Sequence, residues 1–137
     1  ESYDARELEG LAQAIYGHAR ANLEWSVAPG AVPKTAAQVL LNLAQLGSAV
    51  LPMGGTAQLS LADTGIGTEI SLEANGPRAR LRPEAAQGMR GEPLTEGLGG
   101  HWVAGYFLHS LVESAGGALS FDAAEEKITA RAILPRR

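Results

Sequence analysis

The sequence predicts a two-layer α/β (α+β) sandwich in which three helices pack on one face of a mixed β-sheet. Three segments carry apolar residues at the three- and four-residue steps of a helix, namely 4–21, 33–50 and 101–115. Between and after them, short segments alternate apolar and polar residues, as strands with one buried face do. The chain has 137 residues, the size of a single domain, so one core is expected.

The composition narrows the possible functions. Hydrophobic residues make up 45% of the chain and aromatic residues only 5%, so the core must be built from Leu, Ala, Val and Ile. The net charge of −4 argues against a nucleic-acid or anionic-membrane surface. The absence of cysteine excludes disulfides, iron–sulfur clusters and thiol catalysis. With no long apolar run and no signal peptide, we expect a cytoplasmic protein without a membrane span.

The helix at 33–50 is the centre of the predicted fold. Pro33 suits its first turn, and Pro52, Gly54 and Gly55 end it. Its apolar residues share one face and are expected to be buried: Val39, Leu40, Leu43, Gly47 and Val50. A second stripe is polar and consists of Gln38, Asn42 and Gln45. A helix with a buried face and an amide-bearing face spans a packed boundary or faces a site.

The remaining elements follow in order. The first helix starts with a capping-box spacing at Asp4 and Glu7, and its buried face is predicted to comprise Leu8, Leu11, Ile15, Ala19 and Leu23. A short strand is predicted at 23–27. The alternation at 57–62 and 69–74 on either side of a glycine-containing turn predicts a hairpin. A further strand at 78–82 and a helical turn or two from Pro83 are also predicted.

The last third of the chain is predicted to form a helix and two strands. The helix is expected to bury a stripe formed by Ala104, Phe107, Leu108, Leu111 and Ala115. The strands lie at 118–122 and 128–134, and the second should turn four residues inward, namely Ile128, Ala130, Ala132 and Leu134.

Few side chains indicate catalysis or metal binding. The three histidines, His18, His101 and His109, have no carboxylate or ligand spacing that predicts a base or a metal site, so we interpret them as structural. Arg78, Arg80 and Arg82 alternate along the predicted strand at 78–82. They predict either a solvated face or a surface for an acidic partner.

The central helix carries a recognisable motif. QVLLNLAQLGSAVLPMGG resembles the N-box of histidine-kinase ATPase domains, whose usual form is Q-V-L-L-N-L-x-x-N-A-x-K-x-T-P-x-G-G. Gln38 and Asn42 match it, but Leu46 stands where the family has its magnesium-ligand Asn, and Ala49 stands where it has Lys. Magnesium needs oxygen ligands, so a leucine supplies nothing. The resemblance therefore implies a nucleotide-site helix without its metal ligand.

The other boxes of that family also depart from the pattern. Asp63-Thr-Gly-Ile-Gly67 equals the adenine-binding G1 box as text, but it falls where the first hairpin turn belongs. At the true G1 place stand Ala74 and Asn75, before Gly76. The glycine-rich lid is reduced to a segment that holds Gly97 and Gly99. These losses imply that ATP is not bound and that no cofactor or metal is required.

The helix and strand order and the ending LHSLVESAGGALSF, together with the emptied boxes, resemble the C-terminal domain of ChpT-type bacterial histidine phosphotransferases. These look like histidine kinases with a degenerate Bergerat (GHKL) ATPase domain. The resemblance implies partners in a two-component phosphorelay, the receiver domains of response regulators and hybrid kinases. It places the phosphoacceptor histidine and a homodimer contact on an N-terminal helical-hairpin domain, so 1–137 is expected to be the second domain alone.

Two other functions remain open at this point. An active ATP-binding kinase or GHKL ATPase domain with unusual boxes would bind Mg-ATP. A plain interaction domain outside any phosphorelay would keep the fold but have no affinity for receiver domains.

Overall fold

The computed structural model describes residues 1–95 and 99–135. Within these residues, four helices and seven strands follow one another. In order they are β1 Ser2–Asp4, α1 Ala5–Tyr16, β2 Ala21–Ser26, β3 Ala31–Pro33, α2 Lys34–Ala49, β4 Gly55–Asp63, β5 Gly67–Asn75, α3 Pro83–Met89, α4 Gly99–Ser114, β6 Ala118–Ala124 and β7 Lys127–Pro135.

Five of the strands form one mixed sheet in the order β2-β4-β5-β7-β6, and β1 pairs with β3 in a separate two-stranded sheet. Strand β2 runs parallel to β4, whereas the three other pairs of the large sheet are antiparallel. A parallel pair needs a long crossover, and β3 and α2 supply it between β2 and β4. The mixed sheet that the alternating segments predict is confirmed.

The helices pack on one face of this sheet, and the opposite face is polar and open. In β7 the inward residues Ile128, Ala130, Ala132 and Leu134 are buried, as the alternation predicts. The outward residues Lys127, Arg131 and Ile133 between them are exposed. One apolar layer between helices and sheet therefore forms the core.

Helix α2 crosses the middle of that layer. Val39, Leu40 and Leu43 are fully buried, as their spacing predicts, and Val50 is 2% exposed. Gly47 also faces the core, where a Cβ would lie 2.5 Å from the hydroxyl of Tyr16. The buried face of α2 is thus confirmed at all five predicted positions.

The predicted hairpin is also confirmed. Strands β4 and β5 pair in antiparallel register from Thr56↔Asn75 to Asp63↔Thr68. The turn between them is closed by the Thr64 amide, which donates to Gly67 O at 2.9 Å. The Gly65 amide donates to the Asp63 carboxylate at 2.9 Å. Asp63-Thr-Gly-Ile-Gly67 is therefore a hairpin turn.

Two predicted buried faces need correction. Helix α1 buries Ala5, Leu8, Ala12 and Tyr16, whereas Leu11 is 57% exposed. Tyr16 is the reason, because its hydroxyl reaches across to donate to Ala44 O at 2.8 Å and thereby sets the rotation of the helix.

Helix α4 is likewise rotated relative to the prediction. It buries Gly105, Leu108 and Val112, and leaves Ala104 exposed and Phe107 49% exposed. Gly105 faces inward because only a residue without a side chain permits the close contact of α4 with α3.

The strand predicted at 78–82 is wrong. Arg78 has a φ of 59°, and the Ala79 amide donates to Gly76 O at 3.2 Å, so the chain turns after Pro77. The segment from Pro83 is a helix of its own, α3, so the structure has four helices where three are predicted. No helix within residues 1–95 and 99–135 is long and apolar enough to cross a lipid bilayer.

Candidate functional site at the end of helix α2

Three positions of the N-box lie on one side of α2. Gln38, Asn42 and Leu46 follow one another at four-residue steps and are all partly exposed. The Asn42 amide does not point to an open site, because its Nδ2 donates to the backbone carbonyl of Gln38 at 2.7 Å. One donor of the Asn42 side chain is therefore used within helix α2.

Leu46 stands at the position that the resemblance assigns to the magnesium ligand. Its side chain is partly buried and packs against the hydrophobic core. A magnesium ion requires oxygen ligands in near-octahedral geometry, and an aliphatic side chain supplies none. This side of α2 is therefore apolar where the resemblance requires a cation.

The position that the resemblance assigns to the adenine-binding carboxylate lies at the end of β5. Ala74 is completely buried there, between Ala57 of β4 and Ile128 of β7. The next residue, Asn75, is exposed, and its Nδ2 donates to Glu73 Oε2 at 3.0 Å. Neither residue offers a free carboxylate to an adenine amino group.

The backbone around these residues is tightly packed. A side chain on Gly55, whose φ is 126°, would collide with Asn75 O, and one on Gly76 would collide with Gly54 O. The glycines after α2 thus allow the start of β4 to lie directly against the end of β5. The N-box glycines therefore permit a close contact between the backbone at the start of β4 and the backbone at the end of β5.

The loop from Gly76 to Arg82 closes this end of the molecule. The Arg80 amide donates to Val50 O at 2.9 Å and thereby caps the C-terminus of α2. Arg82 O accepts from the Ala86 amide at 3.0 Å in the first turn of α3. Ala79 and Leu81 pack against the core. The backbone that carries the arginines is held at several points.

Arg78, Arg80 and Arg82 point outward from this loop. All three are exposed, and the structure shows no ion pair for them within the described residues. The backbone of Arg20 lies at the same end of the molecule, because a Cβ on Gly54 would lie 3.5 Å from Arg20 O. We call Arg78, Arg80 and Arg82 the arginine surface.

The predicted remnant of the lid includes Gly97 and Gly99. Gly97 lies outside the described residues, and Gly99 is the first residue of α4. Helix α4 packs directly on α3, since side chains on Gly88 or Gly105 would collide with the Trp102 and Ala85 carbonyls respectively. From Gly99 onward the chain is therefore helix, and the helix packs on its neighbour.

The other candidate residues lie apart from this site. Asp63 is six residues along the hairpin from Ala74, about 20 Å away. His109 lies between Met89 O, 3.1 Å from its Nδ1, and Glu113, 3.1 Å from its Nε2. It joins α4 to the end of α3, which fits a structural histidine. His18 is exposed and His101 is partly exposed.

Two clefts among the described residues touch the beginning of α2. One of about 430 Å³ touches Thr35 and Ala36, and one of about 500 Å³ touches Thr35 and Phe107. Asn42 and Leu46 line neither of them. These two clefts thus lie about two turns from Asn42.

Comparison with known proteins places this architecture. The family model described as the histidine phosphotransferase C-terminal domain matches residues 5–127. Protein phosphotransferase ChpT of Brucella abortus (strain 2308) is 24% identical over 125 residues, which are 91% of this chain and 60% of ChpT.

Solved structures show the same fold. A bacterial phosphotransferase superposes with a TM-score of 0.83 and 24% identity, over 96% of this chain and 64% of its own. The mycobacterial sensor histidine kinase MprB matches with a TM-score of 0.71 and 19% identity, over 100% of this chain and 97% of its own. The catalytic domain of the histidine kinase ThkA, in a nucleotide-free form, gives a TM-score of 0.71 and 16% identity, over 98% and 95%. The chain thus spans less than two thirds of the two phosphotransferases, but nearly all of these two kinase chains.

Proposed function

The chain belongs to the family of histidine phosphotransferase C-terminal domains, and from that premise we propose that it serves a two-component phosphorelay without binding ATP. Its role is to dock receiver domains and to brace the phosphotransfer domain. In the relay implied by the family, a phosphoryl group passes from one receiver aspartate to a histidine and then to another receiver. The in-line geometry of such a transfer depends on how the partners are placed.

One observation carries the proposal that ATP is not bound. The two positions that should grip magnesium and adenine are filled by Leu46 and Ala74, and both pack into the core. Both the space and the ligand atoms are missing, because neither Leu46 nor Ala74 offers a carboxylate or amide oxygen. The Asn42 amide, which the N-box retains, donates to its own helix.

The arginine surface supports the docking role. Its guanidinium groups are free of ion pairs within the described residues and project from a loop whose backbone is fixed on α2 and α3. Arginine binds carboxylate and phosphate groups in a bidentate fashion. A fixed loop loses little conformational entropy on binding. We therefore assign this surface to the acidic face of a receiver domain.

The resemblance also supports a division of labour between domains. Residues 1–137 form one domain, and the phosphoacceptor histidine and the homodimer contact belong to an N-terminal helical hairpin. The protein then acts in the cytoplasm, where response regulators act. No cofactor is part of this role.

Titration of the chain with a response-regulator receiver domain tests the docking role. We expect replacement of Arg78, Arg80 and Arg82 by Ser to weaken binding by roughly tenfold or more, and more so at low salt. The matched control is Arg6→Ser, an exposed arginine at the start of α1, which should change the affinity by less than about twofold.

Two outcomes would contradict the proposal. If the triple variant binds as well as the original chain, the arginine surface is not the docking surface. If neither chain binds any receiver domain, a non-catalytic interaction domain outside the phosphorelay becomes the better account.

A further inference from the structure

Strand β6 leaves one edge of the five-stranded sheet open. Within residues 1–95 and 99–135 it pairs only with β7, residue for residue from Ala118↔Ile133 to Ala124↔Lys127, without a bulge. Its sequence, ALSFDAA, contains one charged residue and no Pro or Lys. Natural edge strands are usually protected by such residues or by bulges, because their free N–H and C=O groups bind other strands.

The opposite edge of the sheet is different. Strand β2 carries an outward charge at Glu24, which accepts from Gln58 Nε2 at 2.8 Å. One of its backbone carbonyls also has a partner from a helix, since Gln13 Nε2 of α1 donates to Leu23 O at 3.4 Å. The two edges of the sheet therefore differ in charge and in side-chain hydrogen bonds.

We propose that β6 pairs antiparallel with β6 of a second copy of this chain, around a two-fold axis at Phe121, to form a continuous ten-stranded sheet. In this register the strand is complementary to itself. Ala118 lies opposite Ala124, Leu119 opposite Ala123, and Ser120 opposite Asp122, so apolar residues meet apolar residues and no like charges are opposed.

Charges on the open face of the sheet select the second copy over an unrelated strand. Arg131 is the neighbour of Ser120 in the register, and Asp122 is the neighbour of Thr129. Across the axis, Asp122 of one copy lies beside Ser120 of the other, so it is within reach of the long side chain of Arg131. Two such contacts form, one on each side of the axis. Arg131 is available because it is exposed, and its contact with Glu69 is long, at 3.6 Å.

The side chains on the helix-covered face of β6 are also compatible with pairing to a second copy. Phe121 is half-buried and would meet its own counterpart at the axis, an aromatic cross-strand pair. The Arg90 guanidinium carbon lies 5.9 Å from the Phe121 ring centroid. Arg90 is ion-paired with Glu92 at 3.0 Å, so the two arginines brought together at the axis are each neutralised.

The size of the contact sets its strength. A strand of seven residues buries less surface than a standard protein interface, so the dimer is weak and reversible. The inference rests on the sheet edge alone and does not depend on the proposed function, because neither ATP nor a receiver domain takes part in it.

Sedimentation equilibrium of the chain over a range of concentrations tests the proposal. We expect a reversible monomer–dimer equilibrium. Either Asp122→Arg or Arg131→Asp should lower the association constant by roughly tenfold or more, since each places like charges side by side at the axis. The double variant Asp122→Arg/Arg131→Asp should restore most of the association. The control Glu24→Arg, on the other edge strand, should leave it unchanged.

All four variants change exposed side chains, and circular dichroism verifies their folding. The proposal is overturned if the chain stays monomeric at concentrations of about 1 mM. It is equally overturned if the dimer persists in both single variants, or if the double variant fails to recover. The proposal is also overturned if the chain is monomeric and its strand β6 pairs with an extended peptide of another protein.

Discussion

The two sides of helix α2 have very different relations to the rest of the protein. On one side, Val39, Leu40 and Leu43 are completely buried against the sheet. On the other, Gln38, Asn42 and Leu46 are partly exposed, and the Asn42 amide donates to the backbone of its own helix. The first side holds a fold that histidine-kinase domains share, and the second carries Leu46 where the resemblance assigns a magnesium ligand. The difference teaches that the fold depends on packing and not on the groups of the site.

The difference extends to strand β5, where adjacent residues fall on opposite sides. Ala74 is completely buried and Asn75 is exposed, although the two are neighbours at the position that the resemblance assigns to the adenine-binding carboxylate.

The largest effect is expected from Ala74→Asp, which places a carboxylate at this position but inside the core. It would bury an unpaired charge and lower the free energy of unfolding by at least about 3 kcal/mol. The matched control Asn75→Asp changes an exposed residue and should cost less than about 1 kcal/mol. Urea denaturation of the two variants measures both values. Equal, small losses would show that the end of β5 is open, contrary to the account.

Gly47→Ala should be next in size. The added methyl group would lie 2.5 Å from the Tyr16 hydroxyl, 3.0 Å from Leu72 Cδ1 and 3.1 Å from the Ala57 methyl group. Overpacking of this kind costs about 1–3 kcal/mol.

Part of that cost should be recovered in a second variant. Tyr16→Phe removes the hydroxyl and its bond to Ala44 O, at a cost of about 1 kcal/mol by itself. The double variant Gly47→Ala/Tyr16→Phe should then be more stable than the sum of the single effects predicts. If denaturant unfolding shows that the two single changes in the free energy of unfolding simply add, the hydroxyl does not occupy the space next to Gly47.

A third prediction concerns alkaline pH. Burial raises the pKa of the Tyr16 phenol above its ordinary value of 10.0. The unfolded chain therefore releases this proton first, so the contribution to stability is complete below about pH 10 and is lost as the pH rises further. Between about pH 10 and 11 the original chain should lose about 1 kcal/mol more than Tyr16→Phe. If the free energy of unfolding falls equally in the two chains across this pH range, the burial of the phenol is contradicted.

The smallest effect is expected from Asn42→Ala. Its amide donates only to a backbone carbonyl of the same helix, and Ala favours helix. The free energy of unfolding should change by less than about 0.5 kcal/mol. A loss above about 2 kcal/mol would mean that the polar side of α2 makes contacts that this account does not include.

Much of the fold could be predicted from the sequence, because periodicity reports burial directly. The five inward residues of α2 and the four of β7 were predicted from spacing alone. The exposure of Leu11 and Phe107 was not predicted. The rotation of α1 depends on the hydrogen bond of Tyr16, and that of α4 depends on the contact at Gly105. Neither long-range contact has a local signature.

The candidate site was predictable in part. The substitutions at Leu46 and Ala74 can be read against a known motif, and the structure locates both in apolar surroundings. The alternation of Arg78, Arg80 and Arg82 suggested a strand, yet Pro77 and the left-handed Arg78 turn the chain instead. Their outward direction survives because Ala79 and Leu81 still pack inward.

Calorimetric titration of the chain with Mg-ATP tests the central claim most directly, with an ATP-binding histidine-kinase domain as the positive control. The account predicts no saturable heat, because Leu46 and Ala74 leave nothing to hold magnesium or adenine. Saturable binding with a Kd below about 1 mM that requires magnesium and is lost in Asn42→Ala would contradict it.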